Sequence, residues 1–136
     1  MRSEHRNVQK WIVRRYQARY NVQVEIRAQN RLPDRQRHWY QPDAVIRTRR
    51  GKIKYIVEVE NDPMRKAIVG ASILADASIR ALKQGMKPTL FFVVYNPKGI
   101  RQIHNFKEKV ALVLPYCKHL GGIKVHSFSE FKGIKL

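Results

Sequence analysis

Three acids stand out by type and spacing. Pro42-Asp43-Ala44-Val45-Ile46-Arg47-Thr48 reads as a strand, and Ile53-Lys54-Tyr55-Ile56-Val57-Glu58-Val59-Glu60 reads as another. Arg49-Arg50-Gly51-Lys52 between them reads as a turn. A turn centred on Arg50-Gly51 sets Arg49 opposite Lys52 and Asp43 opposite Glu58. Directly opposed side chains have β-carbons about 4.5–5.5 Å apart. Alternation along a strand places Glu60 on the same face as Glu58, one step further on. Three carboxylates on one face repel one another, and a divalent cation offsets that repulsion. Hard Mg²⁺ takes carboxylate oxygens and keeps water in its other positions. Bound in this way, Mg²⁺ or Mn²⁺ activates water and stabilises charge on a phosphoryl oxygen. The plainer alternative has Glu58 or Glu60 facing solvent opposite Arg47 or Lys54.

The chain around these acids is strongly basic. Its 136 residues carry 28 Lys and Arg against 10 Asp and Glu, a net charge of +18. Such a balance argues against an enzyme whose only partner is a small neutral metabolite, and it fits a phosphate-rich partner, most simply nucleic acid. Residues 1–54 hold 15 basic and 4 acidic side chains, and 12 of the 15 arginines lie at or before Arg50. Arginine binds phosphate bidentately where lysine acts as a point charge. Arg49, Arg50 and Lys52 at the turn are candidate phosphate contacts, as are Arg35 and Arg37 in the polar segment 29–41. Trp39 and Tyr40 beside them would either stack on bases or staple the next strand to the core.

Other constellations are weak. The five histidines show no metal-ligand spacing, and Cys117-Lys118-His119 has no partner in sequence. Gly121-Gly122 lacks the Gly-Lys-Ser/Thr ending of a phosphate loop. The single cysteine excludes an intramolecular disulfide and suits a reducing, cytoplasmic compartment. No apolar run is long enough for a membrane span, no signal peptide is evident at Met1-Arg2-Ser3-Glu4-His5, and no membrane partner is expected.

The elements that must hold the acids follow from periodicity. Residues 3–20 predict a helix with Ser3 as N-cap and a stripe of Val8, Ile12, Tyr16 and Tyr20. Val22, Val24 and Ile26 alternate as a strand, followed by the two strands above at about 42–48 and 53–60. Asp62-Pro63 predicts an N-cap and first turn, with a helix running to about Gln84 and stopped by Gly85. Its stripe of Ala67, Gly70, Ala71, Leu74, Ser78 and Ala81 is small and suits close packing on a sheet. Residues 89–95, apolar throughout, predict a buried strand. A helix begins near 98–101, is interrupted by Pro115 and closes at Gly121-Gly122, and 123–128 form a last strand. The expectation is one α/β domain over 1–136, order α-β-β-β-α-β-α-β, with a mixed central sheet flanked by helices.

Pro42-Asp43, then fourteen residues, then Glu58-Val59-Glu60, together with this element order, resembles the PD-(D/E)XK nuclease superfamily of restriction-endonuclease-like fold. The resemblance covers nearly the whole chain. It implies that Asp43 and Glu58 bind the metal with help from the Val59 carbonyl, and that the chain hydrolyses DNA phosphodiester bonds. The family usually has Lys where this chain has Glu60, although some restriction enzymes carry Glu there. Lys66 or Lys54 would then substitute for the missing cation. Many members add an acid from the first helix, for which Glu4 is the candidate, with a helix-dipole role as its alternative. Members of this size resemble archaeal Holliday-junction resolvases, which act as homodimers. The competing expectation is a non-catalytic DNA-binding module of the same fold, acting in replication or regulation. A basic RNA-binding structural protein would leave the three acids without a purpose.

Overall fold

A computed structural model describes residues 3–24, 40–61 and 65–136. The expected loop cations Arg35 and Arg37, with Trp39, lie outside these residues, as does the expected Asp62-Pro63 helix start.

The chain runs α1 (Ser3–Tyr16), β1 (Asn21–Val24), β2 (Ala44–Arg47), β3 (Ile53–Glu60), α2 (Arg65–Leu82), β4 (Thr89–Val94), α3 (Pro97–Arg101), α4 (Ile103–Val113), β5 (Gly122–Ser127) and α5 (Phe128–Lys132). The five strands form one open sheet in the order β1-β2-β3-β4-β5. β1 to β3 are an antiparallel meander, and β3, β4 and β5 are parallel. The two parallel connections carry helices, as parallel pairing requires. Among the described residues no helix is long and apolar enough to cross a membrane.

Strand alternation divides the core in two. Val45, Ile56, Leu90, Phe92 and Val94 meet Ile68, Ala75 and Ile79 of α2 and Phe106 and Val110 of α4. Ala44, Ile46, Val57, Val59, Phe91 and Val93 meet Val8, Ile12 and Tyr16 of α1 and Phe131 of α5. β4 is buried from Leu90 through Val94, as its unbroken apolar run predicts.

Several elements depart from the expectation. α1 stops at Tyr16, yet Tyr20 is still buried, because the turn after the helix folds it back onto the same cluster. The inward face of α2 is Ile68, Ser72, Ala75, Ser78 and Ile79, and the expected stripe residues Ala67 and Ala81 are exposed. The middle of the expected stripe holds, with Ser78 buried and Ala71 and Leu74 packed on the core, while Ile68 and Ile79 turn inward and Ile73 stays exposed. The helix ends at Leu82, two residues short of Gln84, with Lys83 already left-handed at φ 53° and Gly85 at φ 80°. Asn96 caps α3 by accepting from the Lys98 amide, and α4 ends at Val113, with Pro115 in a single 3-10 turn. The apolar pattern nevertheless continues through Cys117 and Leu120, both buried. α5 was not expected. Ser127 accepts from the Glu130 amide while Glu130 accepts from the Ser127 amide, a capping box legible as Ser-Phe-Ser-Glu.

Candidate functional site

β2 and β3 pair Ala44 with Val57, Val45 with Ile56 and Ile46 with Tyr55, so Asp43 stands opposite Glu58. The register is the expected one, but the hairpin reaches it differently. Thr48 N donates to Lys52 O at 2.8 Å, which leaves a three-residue loop over 49–51 with Gly51 at φ 90°. Alone, that loop would shift the register by one. The register shift between Ile46 and Arg47, whose partners are Tyr55 and Ile53, leaves Lys54 as an extra residue on β3. This bulge restores the pairing of Asp43 with Glu58.

Asp43 precedes the first residue of β2, at the end of the sheet where both helical layers can reach it. Its N–H donates to Glu58 Oε1 at 3.1 Å, and its Oδ2 accepts from Val59 N at 2.7 Å. Its Oδ1 lies 2.8 Å from His5 Nε2, and its carbonyl accepts from Gln9 Nε2 at 3.0 Å. His5 and Gln9 are one helical turn apart on α1, so a single face of the helix grips the acid through both side chain and backbone. His5 also meets the Tyr95 ring edge-on at 6.3 Å, and Tyr95 N donates to Glu60 O at 3.2 Å. The cluster therefore sits at the carboxyl ends of β3 and β4, where open α/β sheets place ligands.

The electrostatics are those of crowded acids. Burial, then the charges of Asp43 and Glu60, holds the Glu58 carboxyl well above the usual carboxylate range. Burial and the Asp43 charge push Glu60 up to about 7, against the opposing pull of His5. Burial, with Glu58 and Asp43 beside it, also raises the Tyr40 hydroxyl. Tyr40 lies in the core with Val45 and Ile56, which settles it as a staple rather than a stacking platform.

Among the described residues, no three His, Cys, Asp or Glu side chains are set to share one ion. Both Asp43 oxygens and one Glu58 oxygen are engaged in the hydrogen bonds above. The donor chemistry itself, carboxylate oxygens gathered at the carboxyl end of β3, suits a hard divalent cation.

The remaining expected residues disperse. Glu4 is exposed, and its neighbour His5 reaches the acid instead. The expected stripe spaced strictly by four, but at 100° per residue such a stripe drifts, and the line through Ile12 and Val8 continues to His5. Histidine followed four residues later by glutamine, on a face otherwise apolar, is the signal that could have revealed the pair. Lys54 is near the far end of β3, with its ammonium 3.3 Å from Tyr20 Oη and over the rings of Tyr20 and Tyr55. It cannot serve Glu58 or Glu60. Lys66 is exposed in the first turn of α2. Arg49, Arg50 and Lys52 are exposed on the hairpin turn, separated from the acids by most of β3, roughly 20 Å at 3.3 Å per residue. Cys117 and His119 do have partners. His119 N donates to Asp76 Oδ1 at 2.6 Å, its Nδ1 lies 3.4 Å from Asp76 Oδ2, and Cys117 Sγ donates to Ser72 O at 3.7 Å. Burial and the Asp76 charge push the Cys117 thiol up to about 11, so it stays protonated and is no nucleophile.

No protein-family model, curated protein or solved structure matches this chain.

The raised Glu60 pKa has a consequence for stability. Between pH 4.5 and about 7 the folded protein holds a proton that the unfolded chain releases, so stability falls as pH rises through that window. Above pH 7 the deficit is complete, at about 2–3 kcal/mol after allowance for partial exposure. Glu60→Gln should therefore stabilise the metal-free protein by about that amount at pH 8 and leave it unchanged at pH 4. Urea unfolding in EDTA at the two pH values checks this. An equal gain at both would mean that the buried charge is not the cause.

Proposed function

We propose that the chain is a metal-dependent endonuclease of the PD-(D/E)XK class, of restriction-endonuclease-like fold, that hydrolyses DNA phosphodiester bonds. The observation that carries this reading is the pairing of Asp43 with Glu58, with Glu60 next along the same face, in a chain of net charge +18. The order helix, three-strand meander, helix, parallel strand supports it. Asp43 and Glu58, with the Val59 carbonyl, would hold Mg²⁺ or Mn²⁺. When bound, that ion supplies an activated water and stabilises charge on the phosphoryl oxygen. Glu60, next along the strand from Glu58, would take the place of the usual lysine in positioning the water or moving its proton. His5 fixes the Asp43 carboxylate from α1, so it is a positioning residue. The basic surface draws the polyanion to the acids.

A specific observation favours the second reading, a non-catalytic DNA-binding module. Both oxygens of Asp43 are already satisfied, by His5 and by Val59 N. Purified protein with Mg²⁺ or Mn²⁺, incubated with a four-way junction, linear duplex, single-stranded DNA and duplex RNA, separates the two. Metal-dependent DNA cutting supports the enzyme. Paired nicks across a junction would make it a resolvase-like homodimer. Binding of DNA without cutting supports the module, and cutting of RNA alone would sink both.

A further inference from the structure

A cleft of about 470 Å³ opens where the end of α2 turns towards β4. Arg80, Lys83, Lys87 and His119 line it, Ile79 and Met86 add apolar surface, and no acid is among its lining residues. Outside the lining, Asp76 turns its two oxygens to the His119 backbone and ring. Arg80, Lys83 and Lys87 thus share one concavity with no lining carboxylate, beside a His119 ring that Asp76 holds through Nδ1.

The backbone here is costly. Lys83 is the only non-glycine residue with positive φ among the described residues, at 53°. It occupies the position just past a helix end that glycine takes without strain. A β-carbon in this conformation is unfavourable, and strained positions gather where a side chain is needed for a ligand. The turn is also held rigidly. Gln84 accepts from Ile53 N at 2.9 Å and donates to Ile53 O at 2.8 Å and Met86 O at 2.9 Å. The Lys52 ammonium donates to Gln84 O. The cations are thereby presented from a turn clamped to the first residue of β3, which lowers the ordering cost of binding.

We propose that this cleft binds the phosphate groups of a nucleotide, with Arg80, Lys83, Lys87 and His119 on the phosphates and Ile79 and Met86 against the base or sugar. Its volume is that of a small-molecule site. It lies at the opposite end of β3 from Glu58 and Glu60, about 20 Å away, and stands on its own residues whether or not the acids cut DNA. The same chemistry is offered by a free nucleoside diphosphate and by one nucleotide of a nucleic-acid strand.

The test follows the amide signals of Lys83, Gly85 and Lys87 in the full chain, in EDTA, during titration with inorganic phosphate, ADP and a 5′-phosphorylated thymidine tetranucleotide. Saturable shifts are expected at these amides, with ADP at least ~10-fold tighter than phosphate. Arg80→Gln with Lys87→Gln should weaken ADP ~10-fold or more. Lys83→Gly should weaken ADP while raising the melting temperature by about 3 °C, because it relieves the left-handed lysine. A tetranucleotide tighter than ADP assigns the cleft to a strand, and a weaker one assigns it to a free nucleotide. Absent or unsaturable shifts, or a double variant that binds ADP as well as wild type, overturn the proposal. With metal removed the readout is independent of cleavage, so this result and the nuclease reading can fail separately.

Discussion

Asp43→Asn should abolish metal-dependent DNA cleavage, a loss of more than about 10³-fold, or ~4 kcal/mol on the barrier. It should leave DNA affinity at the wild-type level or slightly tighter, since a negative charge near phosphate is lost. The structure makes this a clean substitution. Asparagine keeps an acceptor for Val59 N, now made at 2.7 Å to Oδ2, and its amide can donate to His5 Nε2 in place of the contact at 2.8 Å. The backbone bonds from Asp43 N to Glu58 and from Gln9 to Asp43 O do not involve the changed group. Fold and register should therefore persist, which a far-ultraviolet spectrum and a melting curve would verify. Asp43→Ala is a poorer choice because it strands the amide of the buried Val59. Cleavage by Asp43→Asn at the wild-type rate would remove Asp43 from the chemistry. If wild type itself cuts nothing, and both proteins bind DNA equally, the non-catalytic module stands.

DNA affinity should fall about 10³–10⁵-fold between 50 and 200 mM salt, the loss expected when six to ten phosphates are neutralised. The net charge of +18 makes a footprint of that size reasonable. Each phosphate contact contributes about −0.9 to the slope of log affinity against log salt, so removing one such cation should flatten the slope by about one. The hairpin turn does not offer three equivalent tests. Arg49 donates at 2.6 Å to Ala18 O, and the Lys52 ammonium donates to Gln84 O, so replacing either also loosens an anchor of the hairpin. Arg50 is exposed at the tip of the turn, and Arg50→Ala is the informative variant. A binding constant that does not change with salt would exclude a polyanion as the main partner.

The separation of these cations from the acids bears on how a duplex would lie. A duplex rises about 3.4 Å per base pair. A gap of roughly 20 Å along β3 therefore corresponds to about six base pairs, and the turn and the acids would meet different parts of one duplex.

The sequence by itself determined the parts of this protein that depend on local period. Alternation placed Glu58 and Glu60 on one face, and β3 begins and ends where its pattern does, at Ile53 and Glu60. The unbroken apolar run of β4, the mixed α/β order and the basic charge are likewise properties of the chain as written. Packing decided the rest. The Asp43–Glu58 register depends on a three-residue loop and a one-residue bulge that cancel, and neither leaves a mark in the apolar pattern. Which of the apolar residues of α2 turn inward, Ile68 and Ile79 but not Ile73, was settled only against the sheet. His5 meets Asp43 across 38 positions of sequence, and no periodicity relates residues so far apart. The raised pKa of Glu58 and Glu60 likewise comes from the water that the fold excludes and the charges it gathers. Side-chain chemistry is carried by the sequence, but the proximity and dielectric that give it a function arise only when distant segments close around it.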